Sequence, residues 1–230
     1  MAELISIIVP VFNEATTVAA VIERLLSIDL PAPREIIVVN DGSHDDSARV
    51  LNALPQRADL TVVHSPENRG KGHAVRLGIG RARGSIVAIQ DADLELDPAQ
   101  LAELVAPILR RETAVVYGSR FLNTRSSASS VSYAANRVLT ILTNVLYGST
   151  LTDMETCYKV MRTDVARGLG LTADRFDIEP EITARLLRSG HPIVELPVRF
   201  SPRSRAAGKK IGWKDGLIAI VTLVRLRLSR

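Results

Sequence analysis

Ser85-Ile86-Val87-Ala88-Ile89-Gln90-Asp91-Ala92-Asp93-Leu94-Glu95 reads as a short buried strand running straight into acidic side chains. Asp97-Pro98-x-Gln100 follows, with a capping carboxylate and a first-turn proline in the order that starts a helix. Two carboxylates one residue apart are common in surface turns and mean little alone. Here they sit where an apolar strand ends, and in an open α/β sheet the carboxyl ends of strands are where ligands bind. Hard oxygen ligands of this kind suit Mg²⁺ or Mn²⁺ bridged to phosphates. Asp91 and Asp93 are therefore the candidate metal ligands, with Glu95 as a third oxygen.

Outward from this stretch the first half alternates β-branched runs with helical patterns. Leu4 to Val9, Glu35 to Asn40, Leu60 to His64, Ser85 to Gln90 and Ala114 to Tyr117 read as strands. Val18, Val21, Ile22, Leu25 and Leu26 follow helical spacing, as do Leu101, Leu104, Val105, Ile108 and Leu109. Such alternation builds an α/β domain with a mostly parallel central sheet and helices on both faces. In the second half, Val131 to Tyr147, Glu179 to Arg188 and Trp213 to Arg230 read as helices, Cys157 to Met161 as a strand and Pro192 to Phe200 as extended. Ser201 to Lys210 lacks periodicity and reads as a loop. No linker separates two domains, so residues 1–212 form one catalytic domain and 213–230 an amphipathic helix.

Two further strand ends carry polar groups. Pro10-Val11-Phe12-Asn13-Glu14 closes the first strand and Asn40-Asp41-Gly42-Ser43 the second. Asn13 and Ser43 have ordinary readings as helix caps, Ser43-x-x-Asp46 as a capping box, and Glu14 as a solvated first-turn residue. Three adjacent strand ends bearing acids and amides are more economically one polar cleft. Arg69-Gly70-Lys71-Gly72 opens a helix after the third strand, where glycines let backbone N–H groups approach an anion and Lys71 adds charge. It is not a Walker loop, and no glycine-rich loop follows the first strand, which weakens a dinucleotide-binding dehydrogenase reading.

Bulk properties narrow the class. One cysteine in 230 residues excludes an internal disulfide and points to a reducing, cytoplasmic setting. The four histidines form no zinc-type spacing. Met1 to Pro10 lacks a basic start, so no signal peptide is expected, and no run approaches the ~20 apolar residues that span a bilayer. Residues 199–230 hold six arginines and three lysines against one aspartate, a net +8, whereas residues 1–198 are net −4. A basic end suggests an anionic partner, with a plain solvated surface as the alternative. Aromatic content of 4% argues against nucleic acid as that partner. Leu217, Ile218, Ile220, Val221, Val224 and Leu228 could face a membrane surface, with Arg225, Arg227 and Arg230 at headgroups, or pack on the domain's own core.

Assembled, these motifs resemble family 2 glycosyltransferases of the GT-A fold, in the dolichol-phosphate mannose synthase and polyprenyl-phosphate glycosyltransferase branch. The likeness covers nearly the whole chain. Beyond the motifs above it rests on residues 70–74, 118–121, 151–160, 178–182 and 208–216. It implies a nucleotide-sugar donor, GDP-mannose or UDP-glucose, and a polyprenyl phosphate acceptor. Pro10, Phe12, Glu14 and Asp41 would line the nucleoside pocket, with Lys71 at the donor. Asp91, Asp93 and Glu95 would hold the metal and diphosphate, although many relatives have Gln where Glu95 stands. Arg203, Arg205, Lys209 and Lys210 would close over the donor phosphates, with Arg203 and Arg205 both candidates for the anchoring arginine. Arg120 and Ser132 would meet the acceptor phosphate. Residues 126–130 lack an arginine that the mannose synthases place nearby, leaving Arg125 or Arg137 as its substitute.

The implied reaction is a single displacement with inversion at the anomeric carbon, in which Asp93 and Arg120 are catalytic. A phosphate acceptor, with a second pKa near ~6, needs orientation rather than deprotonation. A hydroxyl acceptor would need a base, Asp153 or Glu155.

Overall fold

The computed structural model describes residues 3–122, 130–202 and 213–229. Strands β1 (Ile5–Val11), β2 (Arg34–Asp41), β3 (Leu60–Ser65), β4 (Ile86–Ile89), β5 (Val115–Ser119), β6 (Lys159–Arg162) and β7 (Val194–Pro197) form one sheet in the order β3-β2-β1-β4-β6-β5-β7. All neighbours run parallel except β6, which is antiparallel to both β4 and β5. The helices are α1 (Val18–Ser27), α2 (Ser47–Asn52), α3 (Lys71–Arg81), α4 (Leu101–Leu109), α5 (Ser130–Tyr147), α6 (Thr163–Gly168), α7 (Ile178–Arg188) and α8 (Trp213–Leu228).

Both faces of the sheet are covered, as the strand sequences require. Side chains alternate across a strand. Ile5, Ile7 and Val9 of β1 therefore pack with Val18, Ile22 and Leu25 of α1 and Leu104 and Ile108 of α4 on one face. Ile8, Ile37, Val39, Val87 and Ile89 pack with Val75 and Ile79 of α3 and Ile178 and Ile182 of α7 on the other. A third cluster joins α5, α7 and α8 through Leu139, Met154, Ala184, Ala219, Leu223 and Leu226.

That cluster decides one alternative for the final helix: one face of α8 packs on the domain. The Tyr147 hydroxyl donates to the Leu223 carbonyl at 2.7 Å, and Arg188 Nη2 to the Ser229 carbonyl at 2.7 Å. The opposite face of α8 stays exposed at Leu217, Ile218, Val221, Val224 and Leu228.

The capping box expected at Ser43 is corrected by the structure. Helix α2 begins at Ser47, four residues later. Ser43 Oγ instead accepts from the Asn13 amide at 3.0 Å, and Ser47 Oγ from the Glu14 amide at 2.8 Å. Asn13 is no cap either: it adopts φ 52° and its Oδ1 accepts from the His44 amide at 2.8 Å. These residues stitch the β1 end to the β2 end. At Asp97 the expected cap is present, with Oδ1 accepting from the Ala99 amide at 3.0 Å.

Candidate active site

Register brings the sequence motifs to one edge. Val11 pairs with Asn40 across β1 and β2, and Ile8 with Ile89 across β1 and β4. The segments 10–14, 40–43 and 90–95 therefore emerge side by side. Phe12 meets the His44 ring edge-on at 5.9 Å between centroids.

Asp41 is 2% exposed, and its carboxylate accepts from Asn68 Nδ2 at 2.9 Å, the Arg69 amide at 3.1 Å and the Gly70 amide at 2.6 Å. The anion that this glycine-containing loop approaches is thus the protein's own Asp41. Gly70 has φ +114°, a conformation L side chains rarely adopt, and a Cβ there would lie 2.4 Å from the Asp174 carbonyl oxygen. A Cβ on Gly72 would lie equally close, 2.4 Å, to the Ala173 carbonyl oxygen. Both glycines let the start of α3 press against the 172–175 segment. Glu181 fixes that segment from below, accepting from the Thr172 and Ala173 amides at 2.9 and 2.7 Å.

The acidic loop is held from beneath as well. Gln90, fully buried, donates to the Asp91 carbonyl at 3.0 Å and accepts from the Tyr158 hydroxyl at 2.6 Å. Asp93 Oδ1 accepts from the Glu95 amide at 3.0 Å, and Leu94 between them adopts φ 61°. Asp91 faces an ammonium: Lys71 Nζ stands 2.8 Å from Oδ1. Among the described residues no three His, Cys, Asp or Glu groups converge as a ready metal cage, so Glu95 does not complete one with Asp91 and Asp93. Two carboxylates nevertheless fit Mg²⁺ or Mn²⁺, which commonly bind one or two carboxylates plus substrate phosphates and water. The Lys71 ammonium on Asp91 shows that this carboxylate draws a cation.

The basic segment begins beside these acids. Leu96 bridges Phe200, and the Ser201 amide donates to the Glu95 carbonyl at 2.8 Å. Arg203, Arg205, Lys209 and Lys210, expected to close on the donor, lie outside the described residues.

On the other side, Arg120 binds Asp153 through its backbone amide at 2.9 Å, Nε at 2.7 Å and Nη2 at 2.8 Å. Its guanidinium lies between the rings of Phe121 and Phe200, 5.4 and 5.2 Å from their centroids. Burial alone would lower the Arg120 pKa, but Asp153 outweighs it and holds the pKa above its ordinary value. Asp153 is fully buried and takes all three bonds from Arg120. It anchors Arg120.

Glu155 differs. Burial pushes its carboxyl up to about 7, and among the described residues its buried Oε1 has no hydrogen-bond partner. Arg137 donates from Nη1 to the Thr152 carbonyl at 3.3 Å, which places it against the turn that carries Asp153. The Ser132 side chain lies outside the described residues.

With this geometry in place, comparison with known proteins gives a family. A match described as Glycosyl transferase family 2 spans residues 6–170. The chain belongs to that family.

Dodecaprenyl-phosphate galacturonate synthase of Rhizobium johnstonii is 28% identical over 211 residues, 89% of this chain and 61% of its own length. Dolichyl-phosphate beta-glucosyltransferase of Trichomonas vaginalis is 27% identical over 86% of this chain and 65% of its own length. Undecaprenyl-phosphate mannosyltransferase of Micrococcus luteus is 27% identical over 96% of this chain and 93% of its own. This family 2 chain thus spans less than two thirds of the length of the first two. Glucosyl-3-phosphoglycerate synthase from Mycobacterium tuberculosis, solved with Mn²⁺, UDP and glucosyl-3-phosphoglycerate, superposes with a TM-score of 0.74 at 18% identity, over 97% of this chain and 80% of that one. That likeness bears out the expected GT-A fold.

The sequence motifs of this family 2 domain left two charged residues without a role. Lys159 on β6 is fully buried, with Nζ 2.6 Å from Glu179 Oε2 on α7 and 3.0 Å from the Met154 carbonyl oxygen. Glu179 Oε1 in turn lies 2.9 Å from Lys71 Nζ. A lysine inside an apolar strand, Tyr158-Lys159-Val160-Met161, was the available signal, because a buried charge requires a partner.

Proposed function

We propose that this chain transfers a hexose from a nucleotide-diphosphate sugar, GDP-mannose or UDP-glucose, to a polyprenyl phosphate, with inversion at the anomeric carbon. The observation that carries the donor half is the Asp91–Asp93 pair at the carboxyl end of β4, faced by Lys71. Asp91 and Asp93 would hold Mg²⁺ or Mn²⁺, which supplies charge neutralisation for the departing diphosphate. Lys71 adds positive charge beside it. Pro10, Phe12, Glu14 and Asp41 would line the nucleoside side, and the charges of Arg203, Arg205, Lys209 and Lys210 would serve the donor phosphates.

The acceptor half draws on the relatives' names, each of which specifies a polyprenyl or dolichyl phosphate. Arg120, held in place by Asp153, orients that phosphate together with Ser132 and Arg137. A phosphate oxygen is already largely anionic at neutral pH, so this route needs no base. A second reading, transfer to a hydroxyl group, draws on Glu155, whose carboxyl near 7 is tuned for general-base work.

The test offers each donor with Mn²⁺ to undecaprenyl phosphate and to a saccharide, reading products by mass. Glycosylated lipid phosphate supports the first reading and glycosylated saccharide the second. Asp93→Asn is expected to cut turnover by about 10³-fold with unchanged circular dichroism. Wild-type turnover in that variant overturns the site.

The same reading places the protein on the cytoplasmic face of a membrane. No helix among the described residues is long and apolar enough to cross one. Helices α5 and α8 pack together, and both leave apolar side chains outward: Val138, Ile141 and Val145 on α5, Leu217, Val221 and Leu228 on α8. Exposed Arg225 and Arg227 on α8 match anionic headgroups. Co-sedimentation with phosphatidylglycerol vesicles at low salt, weakened by Val221→Asp, is expected; absence of binding discards the membrane surface as a partner.

A further inference from the structure

We infer that Glu179 is a positioning residue that lets Asp91 exchange its ammonium partner for a divalent cation. The inference rests on the reading of Asp91 as a cation ligand and concerns what must happen to Lys71 when that cation arrives.

A single ammonium is shared. Lys71 Nζ lies 2.8 Å from Asp91 Oδ1 and 2.9 Å from Glu179 Oε1, and its side chain is only 13% exposed. As long as Lys71 sits on Asp91 it competes with a metal ion for the same oxygen, and two cations at one carboxylate repel. Lys71 cannot retreat into water at low cost, because its surroundings are buried and an unpaired buried charge is expensive. Glu179 supplies the second seat. When a cation takes Asp91, the ammonium keeps Glu179 as a counter-charge, shared with Lys159, without leaving the interior.

The rest of the cluster fixes where that seat is. Glu179 is 4% exposed and its other oxygen, Oε2, is held 2.6 Å from Lys159 Nζ. Lys159 is fully buried and cannot follow a moving partner. Its Nζ also donates to the Met154 and Thr156 carbonyls and lies 4.7 Å from the centroid of the Tyr117 ring. Asp91, Lys71, Glu179 and Lys159 thus form a chain of alternating charge from the β4 loop through α3 and α7 to β6. Burial opposes ionisation of Glu179, yet Lys159 and Lys71 together keep its pKa below the ordinary carboxylate value, so it is anionic at neutral pH. Two ammoniums and two carboxylates sum to zero, so a shift of Lys71 between Asp91 and Glu179 changes no net charge in the cluster.

The experiment titrates Mn²⁺ alone into the protein and reads free Mn²⁺ by electron paramagnetic resonance. Glu179→Gln is expected to weaken Mn²⁺ binding by about tenfold, because Lys71 then has only Asp91 to hold. Lys71→Met added to Glu179→Gln should restore binding to the wild-type level or better, an outcome that a merely structural role for Glu179 would not produce. Should Glu179→Gln fail to fold with Lys159 left unpaired, Glu179→Gln/Lys159→Met removes the buried pair together and should show the same loss. Mn²⁺ binding at wild-type strength in a folded Glu179 variant, or no recovery on removing Lys71, overturns the role of Glu179. Wild-type protein that takes up no Mn²⁺ overturns instead the cation-site reading beneath it.

Discussion

The edge formed by β1, β2 and β4 and the strip formed by β5, β6 and α7 hold their carboxylates by different means. On the first, main-chain amides do the holding. Asp41 accepts from the Arg69 and Gly70 amides, Asp45 from the Ala15 and Ser47 amides, and Asp93 from the Glu95 amide. On the second, cations hold Asp153, through Arg120, and Glu179, through Lys159 and Lys71, while Glu181 takes Arg185 as well as the Thr172 and Ala173 amides. Amides orient a carboxylate without cancelling its charge. Ion pairs cancel charge, which makes each member of the second strip depend on its partner. Lys71 crosses between the two regimes, pairing with Asp91 on one side and Glu179 on the other.

This contrast breaks if matched substitutions cost the same in both places. Asp153→Asn removes the counter-charge of a guanidinium that is only 13% exposed, and a loss of about 3–5 kcal/mol is expected. Asp45→Asn keeps one acceptor for the amides and should cost about 1 kcal/mol. Urea unfolding of the two variants compares them directly. Equal losses would mean that Arg120 finds solvent or another partner.

Glu155 sharpens the contrast through pH, because among the described residues it forms no ion pair. Burial raises its carboxyl from a usual value near 4.5 to about 7, with Lys159 and Arg120 only partly opposing that rise. Between those two values the folded state keeps a proton that the unfolded chain has lost. Stability therefore falls as pH rises through that window and levels off above it, by on the order of 3 kcal/mol in all. Glu155→Gln should abolish that part of the pH dependence and be the more stable protein at pH 8. A stability curve of unchanged shape would show that Glu155 ionises normally.

How much of this could be read in the sequence follows the same division. Amide-held groups lie where a strand of period two stops, so Pro10–Glu14, Asn40–Ser43 and Gln90–Glu95 were legible as one edge from periodicity alone. The role of Ser43 was misread because a serine before a helix has a local explanation, whereas its actual partner, the Asn13 amide, is 30 residues away. The ion-paired strip has no local signature. Asp153 meets Arg120 across 33 residues, and Lys159 meets Glu179 across the packing of β6 on α7. Such pairings depend on β6 inserting antiparallel between β4 and β5, which no motif announces. Helix α6, only six residues long, carries too few apolar positions to show a period.

The smallest expected effect lies within the amide-held edge itself. Leu94 sits in the left-handed region at φ 61° and is 40% exposed, so little packing offsets the strain. A left-handed L-residue costs roughly 1–2 kcal/mol, and glycine does not bear that cost. Glycine also frees the unfolded chain, which takes back about 0.5–1 kcal/mol. Leu94→Ala keeps the strained Cβ and trims the side chain, which makes it the proper reference. Leu94→Gly should therefore be more stable than Leu94→Ala by about 0.5–1 kcal/mol in thermal unfolding. Alanine equal to glycine would mean that the turn carrying Asp93 and Glu95 relaxes in solution, and that the hydrogen bond from the Glu95 amide to Asp93 does not hold the loop in its strained form.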